Sequence, residues 1–188
     1  MRDPARRALR RRPVLMTERL ILRHLRRRDL PSLYLILCDD EVMYAYNGAF
    51  SKREARAWFN KQRVRYRRTG LGLWAVVLRE TGEMIGQCGL TRQPAGDREV
   101  LEIGYLLARK YWHRGYAVEA AGACRDFAFH TLHAPFVCSI IRDTNTASQK
   151  VALRIGMRRE SEFVKHDRGI DMLHYLYLMT ADDYQRLC

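Results

Sequence analysis

The stretch E-I-G-Y-L-L-A-R-K-Y-W-H-R-G-Y-A-V-E-A, residues 102–120, changes its apolar period part-way along. Up to Leu107 it continues V-L-E-I-G-Y-L-L, which reads as a strand. From about Gly115 to Thr131 the small and apolar residues Ala117, Ala120, Ala121, Cys124, Phe127 and Ala128 recur at helical spacing. The run F-V-C-S-I-I-R, residues 136–142, then has the length and composition of a buried strand. Strand, helix and strand in this order imply a right-handed crossover, and therefore a parallel pair within the sheet.

Toward the N-terminus, L-W-A-V-V-L-R after Gly72, a turn at E-T-G-E, M-I-G-Q-C-G-L-T-R and a second turn at P-A-G-D-R make the preceding strands an antiparallel meander. Ser51 with Glu54 three residues later is a capping box. It opens a helix that stops by Gly70, with Ala55, Trp58, Phe59, Gln62 and Tyr66 near one face and the basic residues opposite. T-E-R-L-I-L-R alternates as a first strand, and Asp29 is expected to cap a short helix running to about Cys38. Toward the C-terminus, N-T-A-S-Q-K-V-A-L-R-I-G-M is a helix stopped at Gly156. Strands around 158–165 and 170–179 and a short helix from Ala181 follow. The expectation is an α+β fold of the three-layer α/β type, a mixed twisted sheet of six to seven strands flanked by about four helices. Residues 1–13 form a basic arm in this reading, and 14–188 a single domain.

The chain of 188 residues is 47% hydrophobic, which suits one domain with a proper core. No apolar stretch approaches the roughly 18 residues needed to cross a bilayer, so no membrane role is expected and the cytoplasm is the expected compartment. The five cysteines form no C-x-x-C pair, so reduced thiols and no metal site are expected. The formal net charge of +13 is concentrated. Residues 1–12 hold six Arg against one Asp, and residues 51–70 hold eight Lys or Arg against one Glu. That balance suits an anionic partner, such as nucleic acid, an acidic or ribosomal surface or a phosphorylated cofactor, and equally a solvated helix face. Nothing fixes the oligomeric state beyond monomer or homodimer.

At the junction the first N–H groups of a helix are unpaired and carry partial positive charge, and Gly115 lets an anion approach the backbone. Arg109, Lys110 and Arg114 add attraction. There is no G-x-x-x-x-G-K-[ST] loop and no dinucleotide-type G-x-G-x-x-G with its later acidic residue. A nucleotide triphosphatase and a dinucleotide enzyme are thereby disfavoured.

Four pieces in order carry a resemblance: T-E-R-L-I-L-R, G-E-M-I-G-Q-C-G-L, the stretch 102–120, and N-T-A-S-Q-K-V-A-L-R-I-G-M. From Thr17 to about Tyr184 the chain resembles the GNAT superfamily of acetyl-CoA-dependent N-acetyltransferases, and within it the branch of ribosomal-protein N-terminal (alanine/serine) acetyltransferases. The family's pyrophosphate pattern Q/R-x-x-G-x-G/A falls on Trp112, His113, Arg114, Gly115, Tyr116 and Ala117, with Trp112 in place of the usual Gln or Arg, as is frequent in this branch. His113 departs from the branch, which usually has Gly after that Trp.

The resemblance implies direct attack of a neutral amine on the acetyl thioester. It places the pantetheine arm beside Leu106, Leu107 and Ala108, with an oxyanion donor near the Leu107 N–H. Ser148 is its candidate proton donor to the leaving thiolate, or else a helix cap, and Asn145 is a cofactor contact or an N-cap. Glu102 and Glu160 are candidate general bases, or surface carboxylates. His174 has a suitable ordinary pKa but reads as structural. The acceptor, a small-molecule amine or a protein N-terminus, is expected near Tyr44, Tyr46 and Asn47 and the final hairpin around 165–171. Basic charge there disfavours a polyamine. Two rivals are a nucleic-acid-binding protein, suggested by the sequence pI of about 10.0, and an acetyl-CoA sensor without turnover. Against the first, a strand and not a helix precedes T-A-S-Q-K-V-A-L-R-I-G-M, so no helix-turn-helix forms.

Overall fold

The computed structural model describes residues 13–95, 98–167 and 169–187. Residues 1–12, the bulk of the expected arm, lie outside the described residues, as does Cys188. The sheet is built from β1 (Leu15–Met16), β2 (Leu20–Arg23), β3 (Gly72–Leu78), β4 (Met84–Ala95), β5 (Arg98–Leu107), β6 (Phe136–Arg142), β7 (Arg158–Asp167) and β8 (Ile170–Thr180). Their spatial order is β1-β2-β3-β4-β5-β6-β8-β7. The helices are α1 (Leu30–Leu37), α2 (Asp40–Met43), α3 (Lys52–Thr69), α4 (Tyr116–His130), α5 (Thr146–Arg154) and α6 (Ala181–Gln185). The expected meander is β3-β4-β5, all antiparallel. Among the described residues there are eight strands where six to seven were expected and six α-helices where about four were; β1 and α2, with two and four residues, are too short for a period to show.

β3 explains the layering. Its run Gly72–Val77 is buried at every position, so both of its faces are covered. Trp74 and Val76 face a core shared with α4 residues Ala120, Ala121 and Cys124. Ala75 and Val77 face a second core shared with Leu33 and Ile36 of α1 and Ala55 and Phe59 of α3. The small Ala and Cys side chains of α4 let that helix lie close to the sheet. Cys38, Cys88, Cys124 and Cys138 are free thiols.

The capping box of α3 forms as expected: the Glu54 N–H donates to Ser51 Oγ at 3.2 Å and the Ser51 N–H to Glu54 Oε2 at 2.8 Å. Asp29 behaves differently. It stands at the N-cap of α1 without a side-chain cap bond. Its carboxylate instead receives both Arg23 guanidinium nitrogens, at 2.7 and 2.8 Å, and the Arg26 N–H at 2.6 Å. A forked guanidinium satisfies a buried carboxylate better than one backbone amide does.

β5 and β6 are parallel, as the crossover required, but their pairing is confined to Glu102 opposite Cys138. β6 then runs alongside β8 for its full length. The two parallel strands therefore splay after one register position, and that opening positions the site.

Candidate active site

Alternation along β5 sets the chemistry of the splay. The Ser139 hydroxyl donates to the Ile103 carbonyl at 2.8 Å, and Trp112 Nε1–H donates to the Leu107 carbonyl at 2.9 Å. Residues two apart present their backbone groups to the same edge. Ile103, Tyr105 and Leu107 thus turn N–H and C=O toward the splay, and the Leu107 N–H points into it. Ala108 faces the other way, its N–H on the Ile85 carbonyl at 2.9 Å.

The loop after β5 begins α4 without a side-chain cap. Gly115 has φ +79° and His113 has φ +59°. Both are left-handed, a conformation that costs a non-glycine residue about 1–2 kcal/mol. His113, at the position where the resemblance leads one to expect glycine, adopts this backbone at that cost. Arg19, unremarked in the sequence beyond its motif, braces this loop. Its guanidinium binds Glu119 Oε2 at 2.6 Å, donates to the Arg114 carbonyl at 3.1 Å and stacks on the Tyr116 ring at 4.5 Å. Glu119 also accepts the Thr17 hydroxyl at 2.6 Å, which lowers its pKa although burial opposes this.

A cleft of about 460 Å³ lies over this loop, lined by Leu106, Leu107, Trp112, His113, Gly115, Tyr116 and Ala117 on one side. Tyr44, Asn145, Ser148 and Lys150 are among the residues opposite. The uncapped N–H groups, the backbone at Gly115 and the cation on Lys150 suit a phosphorylated, partly apolar ligand. Ala108 and Arg114 flank this cleft without lining it.

A second cleft of about 590 Å³ opens on the α3 side of the sheet, lined in part by Tyr46, Phe50, Trp58, Glu102, Lys165 and His174. The two clefts share Val42, Tyr105, Leu106, Asn145 and Ser148. They meet at the splay.

At that meeting point Asn145 caps α5, its Oδ1 accepting the Ser148 N–H at 3.0 Å and the Tyr44 hydroxyl at 2.8 Å. The Tyr105 hydroxyl donates to the Ser148 carbonyl at 2.7 Å. Ser148 is half-buried, and its own hydroxyl makes no hydrogen bond to another described residue. Glu102 lies on the opposite face of β5 and is half-buried. Burial pushes its carboxyl above the ordinary 4.5, against the pull of Lys165, the Ile140 N–H, the Thr91 hydroxyl and Arg65. Tyr46 is 38% exposed as a whole, yet desolvation of its hydroxyl in the cleft, with Glu102 nearby, pushes the phenol up to about 12.

Other expected residues lie elsewhere. Glu160 is exposed in a bulge of the edge strand β7, beside Arg158 at 3.9 Å, and lines neither cleft. Asn47 is left-handed at φ +65° and ends the turn Tyr44–Tyr46 without lining a cleft. His174 is buried, with Nδ1–H donating to the Met172 carbonyl at 2.9 Å, and burial holds its pKa down. Sequence reading missed Tyr105, Trp58 and Arg65 as lining residues. Strand alternation from Ile103 would have found Tyr105. Arg65 had been assigned with its basic neighbours to the outer face of α3, yet it turns into the second cleft. Among the described residues no three His, Cys, Asp or Glu side chains gather as a metal site.

The splayed sheet and its loop have recognisable relatives. The profile of the acetyltransferase (GNAT) domain matches residues 19–158. The chain belongs to the GNAT family of acetyltransferases. YkkB of Bacillus subtilis, uncharacterized, is 38% identical over 83% of this chain and 91% of its own. YnaD of the same organism, named as an N-acetyltransferase, is 29% identical over 80% of this chain and 86% of its own. The solved structure of RimL, a ribosomal L7/L12 alpha-N-protein acetyltransferase in complex with coenzyme A, superposes with TM-score 0.74 at 18% identity, covering 92% of this chain and 99% of that one. At that identity the likeness is one of fold. The expected GNAT family, mixed-sheet fold and N-acetyltransferase class all stand, with eight strands where six to seven were expected. GNAT acetyltransferases use acetyl-CoA, and no helix described here is long and apolar enough to cross a membrane.

Proposed function

We propose that this GNAT chain moves the acetyl group of acetyl-CoA to a primary amine by direct attack at the β5–β6 splay. The carrying observation is the junction of the two clefts at Tyr105, Leu106, Asn145 and Ser148. A donor held in one cleft and an acceptor in the other would meet there without crossing solvent.

The roles follow from position. The loop His113–Ala117 and the start of α4 hold pyrophosphate through backbone N–H groups, as the fold shared with coenzyme A-bound RimL suggests. The thioester supplies an activated acetyl group. The Leu107 N–H donates to the oxygen that gains charge as the amine attacks. Glu102, on the acceptor side, takes the ammonium proton directly or through one water, and its raised pKa moves it toward the value a base needs near neutrality. Ser148, where the two clefts meet and with its hydroxyl unengaged among the described residues, donates to the departing sulfur. Base and acid thus belong to different elements, β5 and α5, so the proton taken from the amine and the one given to sulfur need not share a site. Glu160 has no part in this scheme.

Calorimetric titration with acetyl-CoA tests the cofactor half. Binding in the micromolar range, abolished by Gly115→Glu, is expected; no binding at high micromolar cofactor refutes the reading. Binding without thiol release across an amine panel would mark a sensor instead.

A further inference from the structure

The acceptor-side cleft carries more cations than its own carboxylate can neutralise. Arg65 of α3, Arg142 at the end of β6 and Lys165 of β7 all line it, and Glu102 is the one acidic side chain among the described residues that do. None of the three cations makes an ion pair with an Asp or Glu among the described residues. Elsewhere cations do find such partners, as in Arg19–Glu119, Arg23–Asp29, Arg92–Glu99 and Lys110–Glu83. Arg142 donates one guanidinium nitrogen to the Tyr44 carbonyl at 3.1 Å, while its Nε is buried without a hydrogen-bond partner. Arg65 and Lys165 are half-buried, so their charges are less screened than those on the exposed face of α3. The nearest ring contact of Lys165 is Phe163, at 5.8 Å.

A cluster of partly desolvated, unneutralised cations is unfavourable unless something anionic joins it. Glu102 cannot do so and also serve as a base, because a tight ion pair would hold its carboxylate ionised at low pKa; its pKa is raised instead. The remaining wall is aromatic: Trp58 meets Phe50 at 5.9 Å and Tyr46 at 6.5 Å, edge to face, and can cover an apolar stem.

We infer that the acceptor is a primary amine that also carries a carboxylate, which Arg65, Arg142 and Lys165 receive while the amine is presented to Glu102. This rests on the acetyl-transfer reading above. It reverses the preference expected of a polyamine acetyltransferase, since a second ammonium would meet three cations.

The test compares matched acceptors by thiol release with wild-type enzyme: β-alanine against its amide, glutamate against its diamide, a C-terminally amidated dipeptide with N-terminal glutamate against its N-terminal glutamine counterpart, and spermidine. A charge-assisted contact corresponds to about a tenfold or greater preference, so each carboxylate form should exceed its neutral partner in kcat/KM by that factor. Arg65→Gln and Lys165→Met should each shrink that ratio by about tenfold. Preference for the free amino acids over the dipeptide would mark a small-molecule acceptor, and the reverse a protein N-terminus; both keep the inference. Equal turnover of amides, or spermidine as the best acceptor, overturns it while leaving acetyl transfer intact. No amine-dependent thiol release from any acceptor overturns the transfer reading and this inference with it.

Discussion

The Tyr105 hydroxyl and the Ser148 carbonyl are joined by a 2.7 Å hydrogen bond across the splay. That bond ties β5, whose backbone faces the opening, to the first turn of α5. It holds Ser148 against the strand that carries the Leu107 N–H. Tyr105→Phe removes it while keeping the ring, so stability should fall by about 1 kcal/mol. Turnover should fall several-fold with little change in acetyl-CoA affinity. Steady-state kinetics beside calorimetry check the split.

Glu102 makes a prediction of opposite sign for activity and stability. As general base it must be ionised, so the acidic limb of kcat/KM should be centred above 4.5. Glu102→Gln should lower kcat by about 10²–10⁴-fold and abolish that limb. Because the folded pKa is raised, the native state holds its proton to higher pH than the unfolded chain. Stability from this group is present below 4.5 and is lost as pH rises through the raised value. Glu102→Gln should therefore melt higher than wild type near neutrality, with the gap closing at about pH 4. A variant that melts lower at every pH would show that Glu102 is a structural carboxylate.

His113 holds a backbone that glycine holds more easily. His113→Gly should relieve about 1–2 kcal/mol of left-handed strain against about 0.5–1 kcal/mol of added chain entropy. The net gain is about 0.5 kcal/mol, read as a small rise in Tm, with cofactor affinity kept or improved. Gly115→Ala imposes the reverse at φ +79° and should weaken acetyl-CoA binding. If both substitutions leave affinity unchanged, the loop is not the pyrophosphate site.

Arg23 and Asp29 form a buried pair, their side chains 10% and 4% exposed. Asp29→Asn leaves the guanidinium without its charge partner and should cost about 3–5 kcal/mol of stability, measured by denaturant unfolding. A loss below 1 kcal/mol would mean that water reaches the site.

The sequence was informative where periodicity and chain order carry the signal. The crossover Glu102–Ala120–Arg142, the Ser51–Glu54 cap and the loop at Gly115 could all be read locally, because each depends on residues close in the chain. The functional features that were missed depend on contacts across the fold. Arg65 shares a helix with seven other basic residues, and its place on the cleft wall with Glu102 is a relation across the fold. Glu160 looked equivalent to Glu102 until a bulge on the outermost strand left it exposed. Asp29 has a capping residue's position, and the buried Arg23 gave it another use.

The central claim is direct transfer between two clefts that meet at Ser148, without an acetylated enzyme. Initial velocities of thiol release over a grid of acetyl-CoA and amine concentrations test it most directly. Intersecting double-reciprocal lines, with release strictly dependent on amine, are the predicted result; parallel lines, or release that amine does not accelerate, would contradict it.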